Sequence, residues 1–113
     1  MKYLSLFLIL LTPLSADPAK WKKDIAKFEA TDKKSPPPKG AYLFIGSSSA
    51  RMWDLKKSFP EYTTINRGFG GSELEDSLFY ADRILIPCQP KVVFLYAGDN
   101  DISNGKTAEI VTA

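Results

Sequence analysis

Three apolar runs, separated by stretches of helical length, constrain this chain more than any other feature of its sequence. They are Ala41–Ile45, Tyr62–Asn66 and Lys91–Tyr96, and each gives way to a polar or turn segment that contains glycine. The first is continuous and bounded by glycines, which suits a central parallel strand buried on both faces. The second is rich in β-branched residues, which favour a pleated surface. The third carries Val92-Val93-Phe94-Leu95-Tyr96 and reads as a buried strand, the strongest of the three. Between the second and third runs, Leu74, Leu78, Ala81 and Leu85 recur at helical spacing. Ser72 and Glu75 resemble a capping box for that helix, and Pro87 and Pro90 stop it. Arg51 to Ser58 is expected to form a short helix with Trp53 and Leu55 as its apolar contacts. Strands alternating with helices imply βαβ units and a parallel sheet. A doubly wound sheet has about five or six strands, so three strands predict the front half of such a domain. Thr107–Ala113 reads as the first turns of a further helix.

The chain has 113 residues, enough for one small domain. Residues 1–16 have the layout of a secretory leader: Lys2, an apolar Leu4–Leu11 stretch, and Leu14-Ser15-Ala16 as a cleavage site. That apolar stretch is too short to span a bilayer. The expected location is therefore secreted or periplasmic, with the cut near Ala16 and no stable membrane span. Residues 17–40 are expected to form a helix and a Pro-rich linker. Trp21, Ile25 and Phe28 lie on one stripe of that helix, and Ser35-Pro36-Pro37-Pro38 breaks it. Residues 41–113 carry the domain itself. The net charge of +2, with lysines scattered among acidic residues, gives no basis for nucleic-acid binding. Cys88 is the only cysteine, so no intrachain disulfide can form, and it reads as a packed residue.

Chemistry concentrates where the runs end, at the carboxyl side of the sheet, where α/β proteins place their sites. Gly46-Ser47-Ser48-Ser49 follows the first run, Gly68-Phe69-Gly70-Gly71 the second, and Gly98-Asp99-Asn100-Asp101 the third. With the first strand central, the three loops converge. A serine in a strand-to-helix turn exposes its hydroxyl, a glycine lets its N–H approach a ligand, and an asparagine carboxamide donates without charge. These are the parts of a nucleophile and an oxyanion hole. A base is missing, because the chain has no histidine. Lys106 could act as one only if desolvated, and nothing nearby in sequence would bury it. Asp99–Gly105 fails as a calcium loop because Ile110 stands where the twelfth-position glutamate belongs. Gly68–Gly71 fails as a dinucleotide fingerprint at Glu73.

The same segments resemble the SGNH hydrolases, the GDSL-like lipases and esterases, through the first three of that family's blocks. The Gly-Asp-Ser of block one stands here as Gly46-Ser47-Ser48, which makes Ser48 the nucleophile in register. Ser47 and Ser49 compete for that role. The glycine of block two falls on Gly71, and the Gly-x-Asn-Asp of block three is matched by Gly98-Asp99-Asn100-Asp101. The resemblance implies a flavodoxin-like three-layer α/β/α sandwich, here about three strands of it. It also implies a serine ester hydrolase with an acyl-enzyme, and an oxyanion hole built from the Ser48 and Gly71 N–H groups and the Asn100 side chain.

The family's base and its orienting carboxylate come from a later Asp-x-x-His block, and no residue of this chain inherits those roles. No cofactor or metal is implied. The substrate would be a small-molecule or polysaccharide-linked ester, with acetylated polysaccharide, lysophospholipid and short acyl esters all open. The alternative is an inactive relic of the fold that binds a carbohydrate or a partner. Either way, a half-sheet with an edge meant to be covered is expected to be poorly soluble, oligomeric or partly folded.

Overall fold

The computed structural model describes residues 18–112. The leader expected over residues 1–16 lies outside the described residues. A 3₁₀ turn, Pro18–Trp21, leads into α1 (Lys22–Lys34). Then follow β1 (Tyr42–Gly46), α2 (Ser48–Arg51), α3 (Leu55–Ser58), β2 (Thr64–Gly68) and α4 (Leu74–Ile84). A second 3₁₀ turn, Ile86–Cys88, precedes β3 (Val92–Tyr96), α5 (Asp99–Ser103) and α6 (Ala108–Thr112). The sheet is parallel throughout, in the order β2-β1-β3. Its register places Gly46 of β1 between Gly68 and Tyr96, so all three strands end level. This is a flavodoxin-like α/β arrangement around a three-stranded parallel sheet.

Side-chain alternation along β1 divides the layers. Leu43 and Ile45 join Trp21, Ile25, Phe69, Tyr80 and Ile84 in the main core, under α1 and α4. Phe44 faces the other way, edge-on to Trp53 and stacked on Phe59 and Phe94. The α1 stripe packs as expected, although Trp21 belongs to the 3₁₀ turn, and the helix ends at Lys34, just before the Ser35-Pro36 break. Cys88 is buried too.

Four expectations are corrected. Arg51–Ser58 is not one helix. Asn66 Nδ2 donates to Ala50 O (2.7 Å) where α2 ends, and Asp54 starts a new turn by accepting from Lys57 N (3.1 Å). The Ser72/Glu75 capping box is absent, because α4 starts at Leu74. Ser72 Oγ donates to Phe69 O (2.8 Å), while the Asp76 carboxylate accepts from Glu73 N (2.8 Å). The buried face of α4 is Ser77, Tyr80 and Ile84, not the leucine stripe, and Leu78 is 78% exposed. The helix turns this way because Tyr80 packs on Phe69 and its hydroxyl donates to Pro18 O. Finally, β3 is not buried. Its five residues are between 37% (Val92) and 59% (Tyr96) exposed, as the described helices leave both of its faces partly uncovered, and among the described residues no strand pairs its outer edge.

Candidate active site

Backbone contacts first draw the three strand ends together. Gly46 leaves β1 at φ +153° against Tyr96, where a Cβ would lie 1.9 Å from the carbonyl oxygen. Only glycine permits that approach. Ser47 N then donates to the same Tyr96 O (3.4 Å), and Phe69 N donates to Gly46 O (3.0 Å). Phe69 anchors its loop by burying its ring edge-on to Trp21 and Tyr80.

Side chains complete the cluster. Ser47 is wholly buried, and its Oγ donates to Asp99 Oδ1 (3.2 Å), joining the first loop to the third. Its hydroxyl is thereby engaged. Ser48 opens α2 and is half-buried, and Ser49 is exposed. Gly71 lies exposed in the second loop at φ +77°, a conformation that favours glycine. Asn100 Nδ2 donates to Ser72 O (2.9 Å), which ties the asparagine to the residue after Gly71. Asp101 Oδ2 accepts from Leu74 N (3.1 Å), fixing the third loop to the start of α4. The structure thus brings the loops bearing Ser48, Gly71 and Asn100 into one hydrogen-bonded cluster.

A charged clasp, barely legible in the sequence, backs this cluster. Lys106 Nζ lies 2.6 Å from Glu73 Oε2, 3.5 Å from Asp101 Oδ1 and 3.7 Å from Glu75 Oε1. Asn104 Nδ2 donates to Glu73 Oε1 (2.7 Å). Burial alone would raise the Glu73 pKa, but hydrogen bonds from Lys106 and Asn104 outweigh it and hold the carboxyl below its ordinary value. The Glu73 hydrogen bond in turn holds the Lys106 ammonium above its ordinary value, against the smaller effect of burial. The expectation that nothing buries Lys106 is therefore corrected. Its surroundings are carboxylates, which keep the proton on, so Lys106 is unsuited to act as a base.

The clasp fixes a pH dependence. The lowered Glu73 pKa contributes stability above the ordinary 4.5, lost as pH falls through the depressed folded value. The raised Lys106 pKa contributes stability below the ordinary 10.5, lost as pH rises through the elevated folded value. Lys106→Met should therefore destabilise by about 2 kcal/mol at neutral pH. In urea melts at several pH values, the gap from wild type should narrow at both acid and alkaline extremes. A gap that is constant with pH would show that the ion pairs contribute nothing.

The buried Arg67 is the other charged feature that the sequence did not single out. It lies in β2, between the run Tyr62–Asn66 and the glycine segment Gly68–Gly71. Its Nε donates to Ile84 O (2.9 Å), its Nη2 donates to Asp32 and to Cys88 Sγ (3.3 Å), and its guanidinium lies over the Phe28 ring. Burial would lower the Arg67 pKa, but the hydrogen bonds to Asp32 and Cys88 outweigh it and hold it above the ordinary value.

Among the described residues no group of His, Cys, Asp and Glu is arranged to hold a metal ion, and no helix is long and apolar enough to cross a membrane. No family model matches the chain, and no curated protein matches it. Among solved structures it is similar to one from Streptococcus pneumonia, provisionally named a platelet activating factor. The two are 26% identical with a TM-score of 0.69, over 82% of this chain and 44% of that one. The chain thus spans less than half the length of that structure, and what the two share is the α/β fold.

Proposed function

We propose that residues 41–113 are the nucleophile- and oxyanion-bearing part of an SGNH-type serine ester hydrolase. The observation that carries this reading is the hydrogen-bonded convergence of the three loops: Ser47 on Asp99, Asn100 on Ser72, Asp101 on Leu74. A neighbour named for platelet activating factor is compatible with a hydrolase.

Ser48 Oγ attacks the ester carbonyl carbon and passes its proton to a base. The Ser48 and Gly71 N–H groups and Asn100 Nδ2 stabilise the oxyanion. Collapse expels the alcohol, which takes up that proton, and leaves an acyl-serine that water hydrolyses. The base comes from outside these 113 residues, since the chain holds no histidine. Carboxylic esters are the substrate class, whether small or linked to a polysaccharide. The protein acts outside the cytoplasm if residues 1–16 direct export.

The missing histidine also favours a second reading, a relic that binds a carbohydrate or a partner without turnover. Hydrolysis of 4-nitrophenyl acetate by the full chain separates the two. Without added base the rate should be near background. Added imidazole should restore a turnover that Ser48→Ala removes, measured against the imidazole blank. If no Ser48-dependent turnover appears with imidazole, the relic reading stands. A Ser48-dependent turnover without it would overturn the need for an outside base.

A further inference from the structure

The acidic residues of α1 are sorted inward. Glu29 pairs with Arg83 on α4, Asp32 pairs with the buried Arg67, and Asp24 is half-buried. Every exposed charged residue of the helix is a lysine. Lys23, Lys27 and Lys34 fall at i, i+4 and i+11, one column on the face opposite Ile25. Over the whole chain acid and base nearly cancel, at a net charge of +2, so the fold is what segregates this charge. Burying several ammonium groups is costly, so the column stays in water whatever covers the sheet.

The column leads into the candidate site. Lys20 Nζ lies over the Trp21 ring, 5.1 Å from its centroid. An edge of that ring meets Gly71, where a Cβ would lie 3.2 Å from it. From there α1 runs away from the site. Its Glu29 meets Arg83 in the last turn of α4, whereas Leu74 in the first turn of α4 meets Asp101. At the neighbouring residue of the same glycine turn, exposed Arg51 lies on Gly70. A Cβ there would be 3.0 Å from Cζ and 3.2 Å from each Nη, so the guanidinium plane lies flat against the turn. Arg51 also follows Ser48 by three positions on α2, which puts the two on one side of that helix.

We propose that Arg51, Lys20, Lys23, Lys27 and Lys34 form one cationic track that holds an anionic polysaccharide across the site. This rests on the hydrolase reading for its substrate, which becomes an ester borne on an acidic polymer such as a polyuronate. Charges in a line fit a linear polyanion, and the line passes Gly71, so a polymer lying on it brings its acyl groups to Ser48. A bilayer would be met by large apolar side chains among the lysines, but Ala26 and Ala30 stand beside them on the exposed face.

Isothermal titration of the full chain with sodium polygalacturonate is the test, with neutral dextran as control. Polygalacturonate should bind and dextran should not. Affinity should fall at least about tenfold between roughly 50 and 200 mM salt, as the cation contacts give up released counterions. Lys23→Gln with Lys27→Gln and Lys34→Gln keeps helix propensity at exposed positions, and should weaken binding at least about tenfold. Lys23→Arg with Lys27→Arg and Lys34→Arg should bind like wild type. Arg51→Gln alone should weaken binding by roughly threefold, which a ligand confined to α1 would not show. Binding is read without turnover, so it can fail with the hydrolase reading intact and stand with that reading overturned. No binding, equal binding of dextran, arginine variants that lose binding, or glutamine variants that bind like wild type would each overturn the proposal. Phosphatidylglycerol vesicles or duplex DNA binding more tightly than polygalacturonate would overturn it as well, and assign the track to that ligand.

Discussion

Asp32→Ala is expected to destabilise the fold by about 3 kcal/mol and to lower its melting temperature by roughly 12–24 °C. Arg67 is 4% exposed and cannot lose its charge, so removing Asp32 strands a cation in the interior. The carboxylate partner is a quarter exposed, which places the effect at the lower end for buried pairs. Ile84 O and Cys88 Sγ still accept from the guanidinium, but neither neutralises it. Replacing both partners, Asp32→Leu with Arg67→Met, should recover most of the loss, because the cost lies in the unpaired charge more than in the missing bond. Urea melts of the single and the double variant make this measurable. A loss under about 1 kcal/mol for Asp32→Ala would mean that water reaches the guanidinium.

Arg67 also shows where sequence reading stops. The runs at Ala41, Tyr62 and Lys91 mark the order of the strands along the chain and imply the parallel sheet, because apolar runs and glycines are local signals. The strands fall within two residues of where they were expected. Arg67 was hidden because its meaning depends on Asp32, 35 positions away, and on the Ile84 carbonyl. Helix α4 misled for a related reason. Its two faces both carry apolar residues, and Tyr80 wins the core through Phe69 and Pro18, contacts that no helical periodicity encodes. The leucine face is left beside β3, whose own apolar run reads as buried although, among the described residues, no strand pairs its outer edge.

The candidate site was legible in residue type and order. Serine, glycine and asparagine at three successive strand ends are visible in sequence, and a sheet ordered β2-β1-β3 is what makes them neighbours. The joints were not legible. Ser47 on Asp99 spans 52 positions, and Lys106 reaches Glu73 across a loop whose course only the fold sets. The one available signal was the second aspartate of Gly98-Asp99-Asn100-Asp101. A carboxylate in that place, 2% exposed in the structure, needs a donor, and Leu74 N supplies it.

Those joints decide the last prediction. Asn100→Ala is expected to cut the imidazole-restored, Ser48-dependent turnover by about 10²–10³ while leaving KM nearly unchanged, because the carboxamide acts on charge that develops only in the transition state. The stability change should be small, about 1 kcal/mol, the loss of one hydrogen bond to Ser72 O. Asn100→Asp is the sharper variant. It keeps the shape, but an ionised carboxylate cannot donate to Ser72 O or to an oxyanion and repels both. It should therefore be no more active than Asn100→Ala. Asp99 already flanks this position and holds Ser47, so a generally negative surface is tolerated there. The contrast tests the donor itself. If Asn100→Ala or Asn100→Asp retained the restored rate within about threefold, Asn100 would be a strut between the second and third loops and not part of an oxyanion hole.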